Sequence, residues 1–155
     1  MTQASHPIRI REGRPEDAPV LAEYNRRMAL ETEDKELDSE TVSRGVAQGL
    51  RQPDKCRYFV AESGDQVVGQ AMVTYEWSDW RNGDLWWIQS VYVHPDHRRQ
   101  GIFTRLFRHI ESLAHEAAGV CGLRLYVEED NAVGQAVYKK LGMTHAGYHV
   151  YEREF

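Results

Sequence analysis

One helix and its flanks constrain this chain more than any other feature. Ile102, Phe103, Leu106, Phe107, Ile110, Leu113, Ala114 and Ala117 recur at intervals of three and four, which puts them on one face of an α-helix running from near Arg99–Gly101 to about Ala118. Ahead of it, Trp86-Trp87-Ile88-Gln89-Ser90-Val91-Tyr92-Val93 reads as a strand, closed by Pro95. Behind it, past the breakers Gly119 and Gly122, Leu123-Arg124-Leu125-Tyr126-Val127 reads as another. A helix with one apolar stripe, set between two strands, needs a sheet to lie on.

The rest of the chain supplies that sheet. Ile8 to Arg11 is a short strand candidate, and Arg14-Pro15-Glu16-Asp17 starts a helix that runs to about Leu30, with acids at the positive end of its dipole. A second helix fits Ser39 to Leu50 and ends before Pro53. From Arg57 the apolar period changes to two. Tyr58 to Ala61 is a strand, Gly64-Asp65 a tight turn, and Val67 to about Trp80 the returning strand. Asn82-Gly83 reads as a hairpin turn, because both central residues of a type I′ turn need positive φ. A two-residue turn there sets Glu76 opposite Gln89. Ala132 to about Leu141 is a helix ended at Gly142, and Tyr148 to Phe155 a final strand. The order β-α-α-β-β-β-α-β-α-β predicts an α/β (α+β) fold: a mixed, mostly antiparallel sheet with helices on both faces.

The 155 residues contain no Pro/Ser linker, low-complexity tract or repeat, so residues 8–155 are expected to form one domain behind a disordered or extended N-terminus, residues 1–7. No apolar run approaches the ~20 residues of a membrane helix. Met1 to Pro7 lacks the basic and apolar stretches of a signal peptide, so no membrane association and a cytoplasmic location are the default expectations. Cys56 and Cys121 stand far apart without a CxxC partner, which supports neither a disulfide framework nor a structural zinc site. A net charge of −5 argues against a surface that grips nucleic acid.

The chemistry-bearing segment is Val91-Tyr92-Val93-His94-Pro95-Asp96-His97-Arg98-Arg99-Gln100-Gly101-Ile102-Phe103-Thr104. A strand stops at proline, and two arginines and a glycine precede the first turn of the amphipathic helix. Unpaired N–H groups at a helix start, backed by the positive dipole end, form an anion site. Gly101 lets a phosphate approach the backbone, and Arg98 or Arg99 adds a charged fork. The alternative is a solvated basic turn before an ordinary helix. Neither GxGxxG nor GxxxxGK[ST] is present, His115-Glu116 lacks the second histidine of a zinc peptidase helix, and His94 and His97 bring no further metal donors. No metal is expected.

Taken together, strand–HPDHRRQG–helix, then a strand ending in Glu128-Glu129-Asp130-Asn131, then a helix carrying Ala136-Val137-Tyr138-Lys139-Lys140-Leu141-Gly142-Met143 resembles the GNAT superfamily of N-acetyltransferases. The resemblance runs from Ile8 to Phe155 and is most specific from Val91 to Met143. The family's pyrophosphate loop reads [Q/R]-x-x-G-x-[G/A]; here Phe103 stands where the last small residue belongs. The resemblance implies acetyl-CoA as cosubstrate, its diphosphate cradled by the amides of Arg99, Gln100, Gly101, Ile102, Phe103 and Thr104. It implies a pantetheine arm paired along the main chain of Val91, Tyr92 and Val93. Asn131 falls at the expected helix start, as an N-cap, a cofactor contact or both. Tyr138, seven residues on and so on the same helix face, takes the family's place for the proton donor to the departing thiolate.

The implied reaction is direct attack of an amine on the thioester in a ternary complex, with a base removing the amine's proton. Glu76 and Gln89 on adjacent strands, and Glu31 and Glu33 after the first helix, are the acceptor-side candidates. Carboxylates near Trp77, Trp80, Trp86 and Trp87 would suit a small cationic amine; core or subunit contacts of the tryptophans are the other reading. Acetylation of a protein N-terminus or lysine, and a non-catalytic acyl-CoA-binding module, remain as alternatives. Exposed strands and tryptophans point to a homodimer.

Overall fold

A computed structural model describes residues 6–155; of the expected extended N-terminus, residues 1–5 lie outside that description. The elements are β1 (Ile8–Glu12), a 3-10 turn (Pro15–Asp17), α1 (Ala18–Glu33), α2 (Ser39–Arg51), β2 (Cys56–Ser63), β3 (Gln66–Ser78), β4 (Gly83–Val93), a second 3-10 turn (Pro95–His97), α3 (Ile102–Glu116), β5 (Val120–Leu125) and α4 (Ala132–Lys140). The strands form one sheet in the order β1-β2-β3-β4-β5. The first three pairings are antiparallel, β1 to β2 across α1 and α2 and the next two through hairpins; β4 and β5, joined through α3, are parallel. The fold is the mixed α/β sheet anticipated from the pattern.

Strand periodicity decides which residues meet which helix. Phe59, Ala71, Val73, Trp86 and Ile88 point to one face and pack on Ile102, Leu106, Phe107 and Ile110 of α3. Tyr58, Val60, Val67 and Tyr92 point to the other and pack on Leu21, Tyr24 and Val46 of α1 and α2. Leu106 and Ile110 are fully buried, so the stripe read from the sequence is the inner face of α3.

Three expectations need correction. Ser78 pairs with Gly83, so the β3–β4 hairpin carries the four residues Asp79 to Asn82 rather than a two-residue turn. Asn82 is left-handed (φ 45°), as the Asn-Gly signal suggested. Gly83, however, opens β4: a Cβ there would lie 2.9 Å from the Gly119 carbonyl oxygen, so this glycine serves close approach rather than a turn. Glu76 consequently faces Leu85, and Gln89 faces Met72. Glu76 and Gln89 are therefore not cross-strand partners. The third correction is at the C-terminus, where residues 144–155 join no ladder among the described residues. Tyr148, Val150, Tyr151 and Phe155 are exposed there, without a sheet edge to pack on.

A buried ion pair ties β1 to the start of α1. Both guanidinium nitrogens of Arg11 donate to Asp17 at 2.8 and 2.9 Å, the Arg14 amide donates to the same carboxylate at 2.7 Å, and Arg11 Nε reaches Glu62 at 2.8 Å. Burial alone would raise the pKa of Asp17, but the hydrogen bonds from Arg11 and Arg14 outweigh it, and the net shift is downward from 3.8. A depressed carboxylate stabilises the fold above its unfolded pKa, and that stability is lost as pH falls through the folded value. Asp17→Asn should cost about 3 kcal/mol at neutral pH, as expected when one partner of a buried pair is removed. Below pH ~4 the melting temperature of the variant should depend less on pH than that of the parent. Parallel acid-to-neutral thermal melts check both. Leu106→Ala, at the centre of the α3 face, should cost roughly 2–5 kcal/mol by urea titration.

Candidate active site

The site begins where β4 loses a neighbour. β4 and β5 pair from Asp84↔Val120 to Ile88↔Leu125, and no further. β4 continues along β3 to Val93, paired with Gly69, while the chain after Leu125 leaves the sheet. A groove of about 540 Å³ opens between them. Ile88, Gln89, Ser90 and Val91 form one wall; Tyr126, Val127, Glu128, Asn131 and Tyr138 form the other; Met28 and Thr32 of α1 close one end. Over residues 89–93, β4 has a strand neighbour on one side only.

Ser90 stands at the fork with φ 52°, and the β3–β4 register shifts by one residue between Gln70 and Met72. Such a bulge turns the strand over. Ile88 and Val91 accordingly both contact the α3-side cluster although they are three residues apart. The bulge was missed in the sequence, but its signal was present. Trp86, Ile88, Val91 and Val93 skip one position in an otherwise strict alternation.

At the end of β4 the chain makes a 3-10 turn and then places Arg99 (φ 63°) and Gly101 (φ 73°) in the left-handed region. Gly101 is the N-cap of α3 and offers no side-chain cap, and the first intrahelical bond is Arg105 N–H to the Gly101 carbonyl at 3.1 Å. Among the described residues, no carbonyl or side chain accepts from the amides of Ile102, Phe103 or Thr104. Space beside Gly101 is open, since a Cβ there would meet nothing within 4 Å. The Phe103 ring turns inward instead, 5.8 Å edge-on to Tyr138 and 6.2 Å from Phe107, so it leaves the loop's outer face clear.

Arg98 is turned back on the fold. Its Nε donates to the Val93 carbonyl at 2.9 Å, its terminal nitrogen to Glu31 at 2.8 Å, and its guanidinium lies 5.3 Å over the Tyr92 ring. Tyr92 is buried against Tyr24 and donates its hydroxyl to Glu31 at 3.1 Å, so its side chain is not presented to the groove. Arg99 and Gln100 are exposed. Asn131 caps α4, its Oδ1 accepting from the Gly134 amide at 2.8 Å. Tyr138 lies in the groove wall, and burial raises its pKa, so the phenol holds its proton at neutral pH.

The acceptor-side candidates are spread out. Hydrogen bonding from Arg98, with a further bond from Tyr92, holds the Glu31 carboxyl below its ordinary range against a weaker opposing effect of burial. Glu33 is exposed at the end of α1. Glu76 accepts from Arg124 at 2.7 Å. Gln89 lines the groove and donates to the Thr74 hydroxyl. The tryptophans divide as well: Trp86 is core, Trp77 and Trp80 project at the hairpin, and Trp87 stacks 4.5 Å from Tyr126. Among the described residues no cluster of three or more His, Cys, Asp or Glu is arranged for a metal, and no helix is long and apolar enough to cross a membrane.

Comparison with known proteins gives this geometry a context. Thialysine N-epsilon-acetyltransferase of Bos taurus is 30% identical over 95 residues, 59% of this chain and 55% of that protein, so the match spans about half the length of the bovine relative. The crystal structure of a possible acetyltransferase from Clostridium difficile 630 is 45% identical with a TM-score of 0.89, covering 96% of this chain and 97% of the other. A predicted acetyltransferase with acetyl-CoA from Clostridium acetobutylicum, 19% identical, shares the fold at a TM-score of 0.78 over 95% of this chain and 96% of its own. The family model for the acetyltransferase (GNAT) family matches residues 18–143. The chain belongs to that family, whose members are acetyl-CoA-dependent N-acetyltransferases.

Proposed function

We propose that this protein transfers the acetyl group of acetyl-CoA to the primary amine of a small cationic molecule, by direct attack within a ternary complex. The observation that carries this reading is the pairing of two sets of unmet donors at one turn: the open start of α3 and the one-sided stretch of β4. The amides of Arg99 to Thr104 hold the diphosphate, with the exposed Arg99 adding charge. The main chain of Val91, Tyr92 and Val93 receives the pantetheine arm as an added strand, and Asn131 borders the arm from the far wall.

The amine nitrogen attacks the thioester carbon, the C–N bond forms and the C–S bond breaks. An N–H of β4 near Val91 polarises the carbonyl oxygen as it gains charge. Tyr138, protonated at neutral pH, gives its proton to the leaving sulfur. Glu31 is a poor proton acceptor while Arg98 and Tyr92 hold it ionised, so Gln89 is assigned the task of placing a water through which the amine's proton passes out of the groove to solvent buffer. Glu31 and Glu76 are already paired with Arg98 and Arg124, so of the acceptor-side carboxylates Glu33 is the one assigned to draw in a cationic acceptor. The bovine relative named for thialysine, an amine of that kind, supports the substrate class.

We further propose a homodimer. The chain exposes 10894 Å², whereas a compact monomer of 17.9 kDa exposes about 8,000 Å². The five residues outside the description contribute at most about 800 Å² on the extended-chain scale. The unpaired segment 148–155, with Tyr148, Val150, Tyr151 and Phe155 exposed, fits the free outer edge of β5 on a second copy. Light scattering should give twice the chain mass, and truncation after Gly147 should give the monomer; a monomeric full-length protein would refute the exchange.

Two substitutions test the chemistry. Gly101→Val places a Cβ where the diphosphate is assigned and strains a left-handed residue. It should weaken acetyl-CoA binding at least tenfold by calorimetry, and unchanged affinity would remove the loop from the site. Tyr138→Phe should lower kcat by about 10² while leaving acetyl-CoA affinity within twofold, as expected when a general acid is lost. Thiol release with a panel of diamines, lysine analogues and peptides identifies the acceptor class.

A further inference from the structure

Gln70 belongs to neither wall of the groove, yet it is fully buried and carries the only buried amide side chain of β3. Its Nε2 donates in two directions: to Asn25 Oδ1 on α1 at 2.8 Å and to the Ser90 carbonyl on β4 at 3.0 Å. Its own Oε1 has no partner among the described residues. A buried amide left half-satisfied is costly, and an apolar residue of similar size would fit this face with Tyr92 and Met72 around it.

The geometry points to Gln70 as the positioning residue of the active-site bulge, its amide holding the Ser90 carbonyl in place of the ladder bond that the bulge removes. The register shift falls between Gln70 and Met72, opposite Ser90, where one residue of β4 has no direct partner on β3. Ser90 also adopts a left-handed conformation that L-residues with a Cβ disfavour, and such a residue persists only where its surroundings fix it. Gln70 Nε2 supplies one fixing bond, and Asn25 orients the amide by taking its second hydrogen. Through this clamp, α1 and β3 together set how β4 turns over between Ile88 and Val91. That turn aims the Val91 main chain into the groove where the acetyl carbonyl is assigned. The inference rests on the proposed acetyl transfer for its catalytic consequence, but not for the structural one.

Gln70→Met keeps the length and volume of the side chain and removes both donors. Amide hydrogen exchange at Ser90 and Val91 should then accelerate at least tenfold while exchange in α3 stays unchanged. kcat should fall about tenfold or more, with acetyl-CoA affinity within twofold because the α3 start is untouched. In a Gln70→Met/Ser90→Gly double variant, glycine adopts the left-handed conformation without strain, and a substantial part of the lost kcat should return. A merely structural role predicts a lower melting temperature with parental kcat in the folded protein, and no rescue by Ser90→Gly. Either outcome, or unchanged exchange at Ser90 and Val91, overturns the assignment. If the parent protein itself releases no thiol with any acceptor, acetyl transfer fails, and the exchange measurement still decides the clamp.

Discussion

A strand with two neighbours for half its length and one for the rest is the constraint on which this site depends. β5 stops pairing at Leu125, and β4 continues to Val93 alone on that side. Main-chain donors and acceptors do not stay unmet at low cost, so an extended edge inside a groove is met by water or by a ligand able to pair like a strand. The start of α3 poses the same demand a few residues later, with Gly101 as a cap that offers no side chain. Each feature alone is common in proteins. The two together, on either side of the turn between Val93 and Ile102, suit the ligand proposed above, long, anionic at one end and amide-bearing along its arm.

Much of this frame was legible in the sequence, for identifiable reasons. The α3 stripe was read because burial against a sheet imposes a 3.6-residue period over 15 residues, Ile102–Glu116, and nothing interrupts it. The open helix start at Gly101 was read because glycine beside arginines at a strand-to-helix junction is a local pattern. The β3–β4 register was misread because Gly83 is small for a reason remote in sequence, the crowding carbonyl of Gly119. A final strand was expected from the alternation of Tyr148 to Phe155, but a strand needs an edge, and among the described residues this segment joins none. The bulge at Ser90 and its hold by Gln70 depend on a contact 20 residues apart, which alternation hints at and does not specify.

The side-chain commitments of the loop were the least legible part. Arg98 looked available to an anion, but its fork is spent on the nearby Val93 carbonyl and on Glu31, a residue 67 positions away. That tie does two things at once. It keeps Glu31 ionised against protonation, and it pins the end of β4 to the end of α1, next to the groove. In the proposed reading, anion recognition then falls on the main chain of the loop, with Arg99 as the exposed charge.

Main-chain recognition explains how Phe103 is accommodated where a small residue is usual in the family. Amide donors do not depend on the side chains that carry them, provided those side chains point away. The helical start at Ile102 directs the Phe103 ring toward the core, where it packs edge-on against Tyr138 and beside Phe107. The substitution therefore leaves the loop's outer face open and gives the proposed proton donor an apolar neighbour. Desolvation is what raises the Tyr138 pKa, and the Phe103 ring is one of the apolar groups packed beside the phenol. The residue that departs from the family's loop thus packs against the far wall of the groove, joining the proposed anion-binding end to the proposed proton donor by packing alone.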